Sequence, residues 1–241
     1  MRLKSFIITG LVLCLTISVS AQKRLNLDSN TTTKTYSFSN YTALEVSGDF
    51  KINLNVSSSN EAIALEANSN LMDKIDIHKD GNTLVLKLKS MWNYRGNMIL
   101  NVDINTKGMI NDFALSGDAI VNVKNPITSN SVTLNLRGDS VLDANIKAKD
   151  VSLVAKSDSV VTLSGTIDTL DAKLSSDSLL KGKALTVNDV EINLSGDSQA
   201  WIIATSALSA HASGDSVLRY SGDPKVKVAI STGDSEIHRM N

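Results

Sequence analysis

Seven aspartates recur along the second half of the chain at near-equal intervals: Asp118, Asp139, Asp158, Asp177, Asp197, Asp215 and Asp234, separated by 21, 19, 19, 20, 18 and 19 residues. Each sits in a bend of the Ser-Gly-Asp-Ser type, and carboxylates repeated this way have an evident chemistry, coordination of Ca²⁺, which takes several oxygen ligands near about 2.4 Å. Stacked at a strand spacing of about 4.8 Å, neighbouring charges would repel by roughly 0.9 kcal/mol at the dielectric of water and roughly 3.5 kcal/mol at an effective value near 20. An exposed file of carboxylates is tolerable without a cation; a half-buried one is not. The plain alternative is that each Asp accepts hydrogen bonds from turn amides, with the hydroxyls of Ser140, Ser159, Ser178, Ser198, Ser216 and Ser235 adding similar local bonds. The glycine-rich, aspartate-containing nonapeptide of calcium-binding β-rolls is absent. The turn reading is therefore preferred, no metal or other cofactor is assigned, and the seven aspartates stand only as Ca²⁺ candidates.

Other reactive side chains are sparse. His78, His211 and His238 are scattered, and although His211 lies two residues from Ser213, nothing in the sequence places a supporting acid beside them, so no catalytic residue is assigned. "KSMWNYRGN", residues 89–97, gathers Trp92, Tyr94 and Arg95 as candidate contacts to a sugar or a partner protein. The alternative is that Trp92 covers the open end of a core. Trp201 falls four residues after a bend aspartate, nominally outward.

The flanks of the bends show what must position these residues. Three residues before the aspartates come Leu115, Leu136, Ala155, Leu174, Leu194, Ala212 and Ser231, and three after come Val121, Leu142, Val161, Leu180, Ala200, Leu218 and Ile237. Odd offsets are mostly apolar and even ones mostly polar, which predicts strands with one face buried. A fixed period predicts a repeat architecture, here a parallel β-helix of about 19 residues per rung, because like positions then stack over like. The alternative is an antiparallel β-sandwich, which gives no reason to repeat the turn itself. Rungs this short leave almost no loop to wall a cleft. That weighs against the enzymatic alternative, a β-helix polysaccharide lyase or hydrolase with carboxylates along a groove.

The boundaries follow from where the repeat weakens. Residues 1–21 carry Arg2 and Lys4, an apolar run and Val19-Ser20-Ala21, and read as a signal peptide cut after Ala21. Residues 22–39 read as a flexible tether, 40–107 as an N-terminal β cap or subdomain containing one further bend at Asp49, and 108–241 as regular rungs. The only cysteine, Cys14, lies in the leader, so the mature chain has no disulfide or thiolate chemistry. Without the leader, 22 basic residues face 25 acidic ones with no basic cluster, which argues against nucleic acid as a partner. No later segment is long and apolar enough to span a membrane as a helix.

The strand pair ending in "SGD", the bends near a period of 19 and above all the closing "LRYSGDPKVKVAISTGDSEI" resemble the auto-transporter adhesin, head GIN domain family of secreted bacterial proteins. The resemblance covers about residues 41–238 and implies a right-handed parallel β-helix in an envelope-associated protein. The expected role is a secreted, non-enzymatic adhesion or binding module of the periplasm, outer-membrane surface or extracellular space, with a glycan or surface protein as partner. A structural envelope role is the third reading. The family usually writes Ser-Gly-Ser-Gly at the bend, whereas here Asp and Ser take the third and fourth places, and Ser157 and Ser176 replace the glycine. The expectation is that a positive φ is not required at that position throughout. Full auto-transport also needs a C-terminal β-barrel, and Asn241 follows the last bend by about one strand, so export by other machinery is expected.

Overall fold

The computed structural model describes residues 24–89 and 93–240. The leader with its cleavage site, Cys14, and Trp92 lie outside the described residues.

The elements of the amino-terminal part are β1 (Arg24–Asn26), β2 (Thr31–Tyr36), β3 (Ala43–Ser47), β4 (Lys51–Asn55), β5 (Ala62–Asn68), a 3-10 helix (Ser69–Lys74), β6 (Ile75–Asp80), β7 (Thr83–Leu88), β8 (Asn93–Arg95) and β9 (Leu100–Asn105). The rest of the chain is β10 (Asp112–Ser116), β11 (Ile120–Val123), β12 (Ile127–Arg137), β13 (Val141–Ala155), β14 (Val160–Ser175), β15 (Leu179–Ser195), β16 (Gln199–Gly214), β17 (Val217–Ser221), β18 (Lys225–Gly233) and β19 (Glu236–Arg239). The protein is 70% strand and 3% helix, a β-solenoid of about 7 turns repeating every 19 residues or so.

From β10 onward every pairing is parallel, which sets the sandwich aside. Register carries the sequence repeat into space: Phe113, Leu134, Leu153, Ala172, Ile192 and Ala210 stack as one file. Val121, Leu142, Val161, Leu180, Ala200 and Leu218 form a second. Both files are fully buried. A buried aliphatic side chain contributes about 1.5–3 kcal/mol, so the apolar odd offsets supply the driving force and the polar even ones face water.

The amino-terminal third is interleaved rather than appended. β3 pairs with β10 on one side and β7 on the other, and β4 likewise lies between β11 and β9. Residues 43–55 thus form a regular rung in register with both neighbours. Antiparallel pairing is confined to β2–β5, β5–β9 and β6–β7, which close this end.

Residues 22–39 differ from the flexible tether read from their polar composition, because 24–26 and 31–36 are paired strands. Four threonines at 31, 32, 33 and 35 favour extended backbone as β-branched residues. The turn between the strands is pinned by the buried Asn68, whose Nδ2 donates to the Asp28 and Asn97 carbonyls at 2.8 and 3.1 Å while its Oδ1 accepts from Ile99 N at 2.8 Å. Those three bonds nearly exhaust the amide's capacity.

Candidate functional site

The bends stack as a column. At each one the amide two residues after the aspartate donates to the previous rung, as in Val160 N to Ser140 O at 2.9 Å, Leu179 N to Ser159 O at 2.9 Å and Val217 N to Ser198 O at 2.9 Å. The residue before the aspartate lies so close to its counterpart that a Cβ built on Gly196 would stand 3.0 Å from the Ser176 backbone. Contrary to the sequence expectation, Ser157 and Ser176 share the positive φ of the glycines they replace, at 60° and 61° against 70° for Gly196. In-register stacking gives each bend the backbone path of its neighbours, so a serine entering the column adopts the left-handed conformation despite its Cβ.

In the last three bends the turn is held by its serine rather than by the aspartate, to which the sequence reading gave that role. Ser198 Oγ accepts from Ser195 N and Ser216 Oγ from Ser213 N, both at 3.2 Å, and Ser235 Oγ accepts from Thr232 N at 3.1 Å. Ser198 Oγ also donates to the Leu174 carbonyl at 3.4 Å. These hydroxyls are buried, and the equivalent Ser140, Ser159 and Ser178 Oγ atoms are buried without a hydrogen-bond partner. The bend aspartates are all exposed, and no hydrogen bond or ion pair engages their carboxylates. The alternation that turns the fourth residue inward turns the third outward.

For the seven Ca²⁺ candidates the arrangement is a line of separate exposed carboxylates. Among the described residues, no three His, Cys, Asp or Glu gather as a metal-binding group. Asp49, the bend aspartate of the β3–β4 rung, differs from the file above it. Local desolvation first, and the charge of Asp118 second, raise its carboxyl above the usual range. Its partner in that neighbourhood is Tyr94, whose hydroxyl is also pushed up, by desolvation and then by the Asp49 charge. Tyr94 packs half-buried against the core from β8, opposite Leu25, while Arg95 is exposed beside it. Of the 89–97 cluster, only Arg95 therefore presents itself to solvent among the described candidates.

The histidines stay apart. His78 Nδ1 lies 3.2 Å from Asp76 and His238 Nε2 lies 2.8 Å from Glu236, both at the surface. His211 lines a shallow groove of about 450 Å³ together with Ser213, but the Ser213 hydroxyl donates to the Leu194 carbonyl at 3.3 Å rather than to the imidazole. Trp201 points outward and half-exposed from β16, stacked between Lys181 of β15 and Arg219 of β17. Sequence reading singled out the indole alone; aligning each bend on its aspartate brings these two cations to the same offset.

A family model described as "Putative auto-transporter adhesin, head GIN domain" matches residues 40–224. A search of curated proteins returns no match. Among solved structures, a "putative adhesin" of Bacteroides fragilis superposes with a TM-score of 0.80 at 17% identity, covering 90% of this chain and 100% of that one. A "putative adhesin" of Parabacteroides distasonis superposes at 0.70 with 20% identity, over 90% and 100% of the two chains. A "putative lipid binding protein" of the same species superposes at 0.69 with 17% identity, over 91% and 100%. At these identities the superpositions speak for the fold.

Proposed function

The chain belongs to the auto-transporter adhesin, head GIN domain family, and from that premise we propose that it is an exported, non-enzymatic adhesion module of the cell envelope that holds a glycan or a surface protein on the lateral faces of its solenoid. The observation that carries this reading is the continuity of the outward file beside the bends. The outward residues Ile120, Val141, Val160, Leu179, Gln199 and Val217 succeed one another rung by rung in unbroken register. Solenoids present extended surfaces of this kind to partners. Bends of a few residues raise no wall around the exposed carboxylates, so the surface is built for contact along its length rather than for enclosing a reacting group. The adhesin descriptions of the Bacteroides and Parabacteroides relatives agree with it. Export rests on the leader read at residues 1–21, and among the described residues no helix is long and apolar enough to cross a membrane.

Retention of the purified, labelled protein on bacterial cells and on a glycan array tests the proposal. Saturable retention, with no new reducing or unsaturated ends released from acidic polysaccharides, is the expected outcome. Turnover of a polysaccharide, or failure to be retained on any cell or glycan surface, would overturn it.

A further inference from the structure

Among the breaks in the regular ladder, the widest follows Lys181. β15 pairs in step with β14 up to Lys181, then slips between Thr162 and Ser164, and the β15–β16 pairing skips from Lys181 to Thr186. This is a bulge, and it sets two consecutive residues, Lys183 and Ala184, outward after the buried Gly182. Gly182 is required there, since a Cβ on it would lie 2.5 Å from the Trp201 carbonyl oxygen. The bulge opens a pocket of about 370 Å³ lined by Thr162, Ser164, Lys181, Lys183, Ala184 and Trp201.

Three cations surround the indole, and the nearest carboxylate in the same file, Asp143, stands on the far side of Thr162. Lys183 Nζ and Arg219 Cζ each stand 5.7 Å from the Trp201 ring centroid, from the rungs before and after it, and Lys181 pairs directly with Trp201 in register. The ion pairs among the described residues are His78–Asp76, Lys87–Asp76, His238–Glu236 and Arg239–Asp223, and none engages Lys181, Lys183 or Arg219. Lys181 and Lys183 share β15 and Arg219 lies two rungs on, across Trp201, so three cations gather around one indole and none of them has an ion-pair partner among the described residues. An indole offers an apolar face on which the C–H face of a sugar ring can rest, and the cations offer charge-assisted hydrogen bonds to an acidic substituent. Thr162 and Ser164 close the opposite rim, where the Ser164 hydroxyl accepts from Asn145 Nδ2 at 2.9 Å.

We propose that the bulge pocket at Trp201 is a binding site for an acidic saccharide unit, such as a uronic acid, with the sugar ring on the indole and its carboxylate between Lys181, Lys183 and Arg219. This rests on the adhesion reading and names its ligand class.

Calorimetric titration of the protein with a galacturonic acid trimer, a neutral galactose trimer and phosphatidylglycerol vesicles tests it. The acidic trimer should bind saturably and the neutral one about tenfold or more weaker, and binding should weaken several-fold between about 50 and about 300 mM NaCl. Trp201→Ala, and separately the Lys183→Ala/Arg219→Ala double variant, should each lose affinity by about tenfold or more with the thermal midpoint near that of the parent. The double variant serves as the test if Trp201→Ala does not fold. Absence of saturable binding to the acidic trimer, equal binding of the neutral one, undiminished binding by the double variant, or preference for the vesicles would each overturn the site. Cell retention separates the two proposals: Trp201→Ala retained like the parent removes the site and leaves the adhesion role standing, whereas trimer binding without retention does the reverse.

Discussion

Ser157 and Ser176 occupy a backbone region that costs a residue with a Cβ about 1–2 kcal/mol relative to the right-handed form, and they occupy it because glycines on neighbouring rungs dictate the path. Ser157→Gly and Ser176→Gly should therefore each raise stability by roughly 0.5–1 kcal/mol, after allowing for the extra freedom glycine gives the unfolded chain. Urea midpoints check this, and midpoints that stay or fall in both variants would mean that the serine side chains stabilise their bends in some other way. At this scale the spacing of the aspartates was plain in the sequence, but the sign of φ was not. Residue type shows which conformation is cheap, whereas the column of bends decides which one is adopted. The same limit hid the division of labour in Gly196-Asp197-Ser198, since both polar residues cap turns well and only the direction of the chain says which faces inward.

Among the elements, the corners are as constrained as the strands. Gly165, within β14, has φ +107° and passes the previous rung so closely that a Cβ would stand 2.2 Å from the Ile146 carbonyl oxygen. Gly165→Ala should cost roughly 2–4 kcal/mol, combining a strained φ with a clash against backbone that cannot rotate away. Chemical denaturation of the variant measures the loss; a change below about 0.5 kcal/mol would show that the rungs are not packed this tightly at that corner. Period-2 alternation made the strands from 112 to 239 legible, because one buried face leaves a strong mark. It failed for β1 and β2, whose polar residues face solvent on both sides and are held instead by Asn68 and by pairing to β8 and β5. It was also silent on the bulge at 182–185, where a shift of register is invisible until the two neighbouring rungs are laid side by side.

For the molecule as a whole, the two ends of the stack are unlike. The end at β7 and β9 is closed by the antiparallel strands β2, β5 and β6, whereas β18 and β19 each pair on one side only and leave Val226 at 44% and Ile230 at 48% exposure. Because each rung is stabilised mainly by its neighbours, opening should begin at the one-sided end. Amide hydrogen exchange should run about tenfold or more faster in β18 and β19 than in β12–β14; uniform exchange, or earlier opening of β5 and β9, would contradict this. The number of rungs could be counted from the bends, but not their order, since the return of β7 and β9 beneath β3 and β4 is a long-range event with no periodic trace. That order bears on how the chain assembles. Asn53 meets Asp103 across 50 residues, and closing such a loop costs about 0.9 kcal/mol more entropy than closing one of 19. On a chain emerging amino end first, β3 and β4 wait for that closure, and every later rung needs only a short one. One slow step early in synthesis is then followed by fast one-way zippering toward the carboxyl end, with the finished cap blocking growth in the other direction.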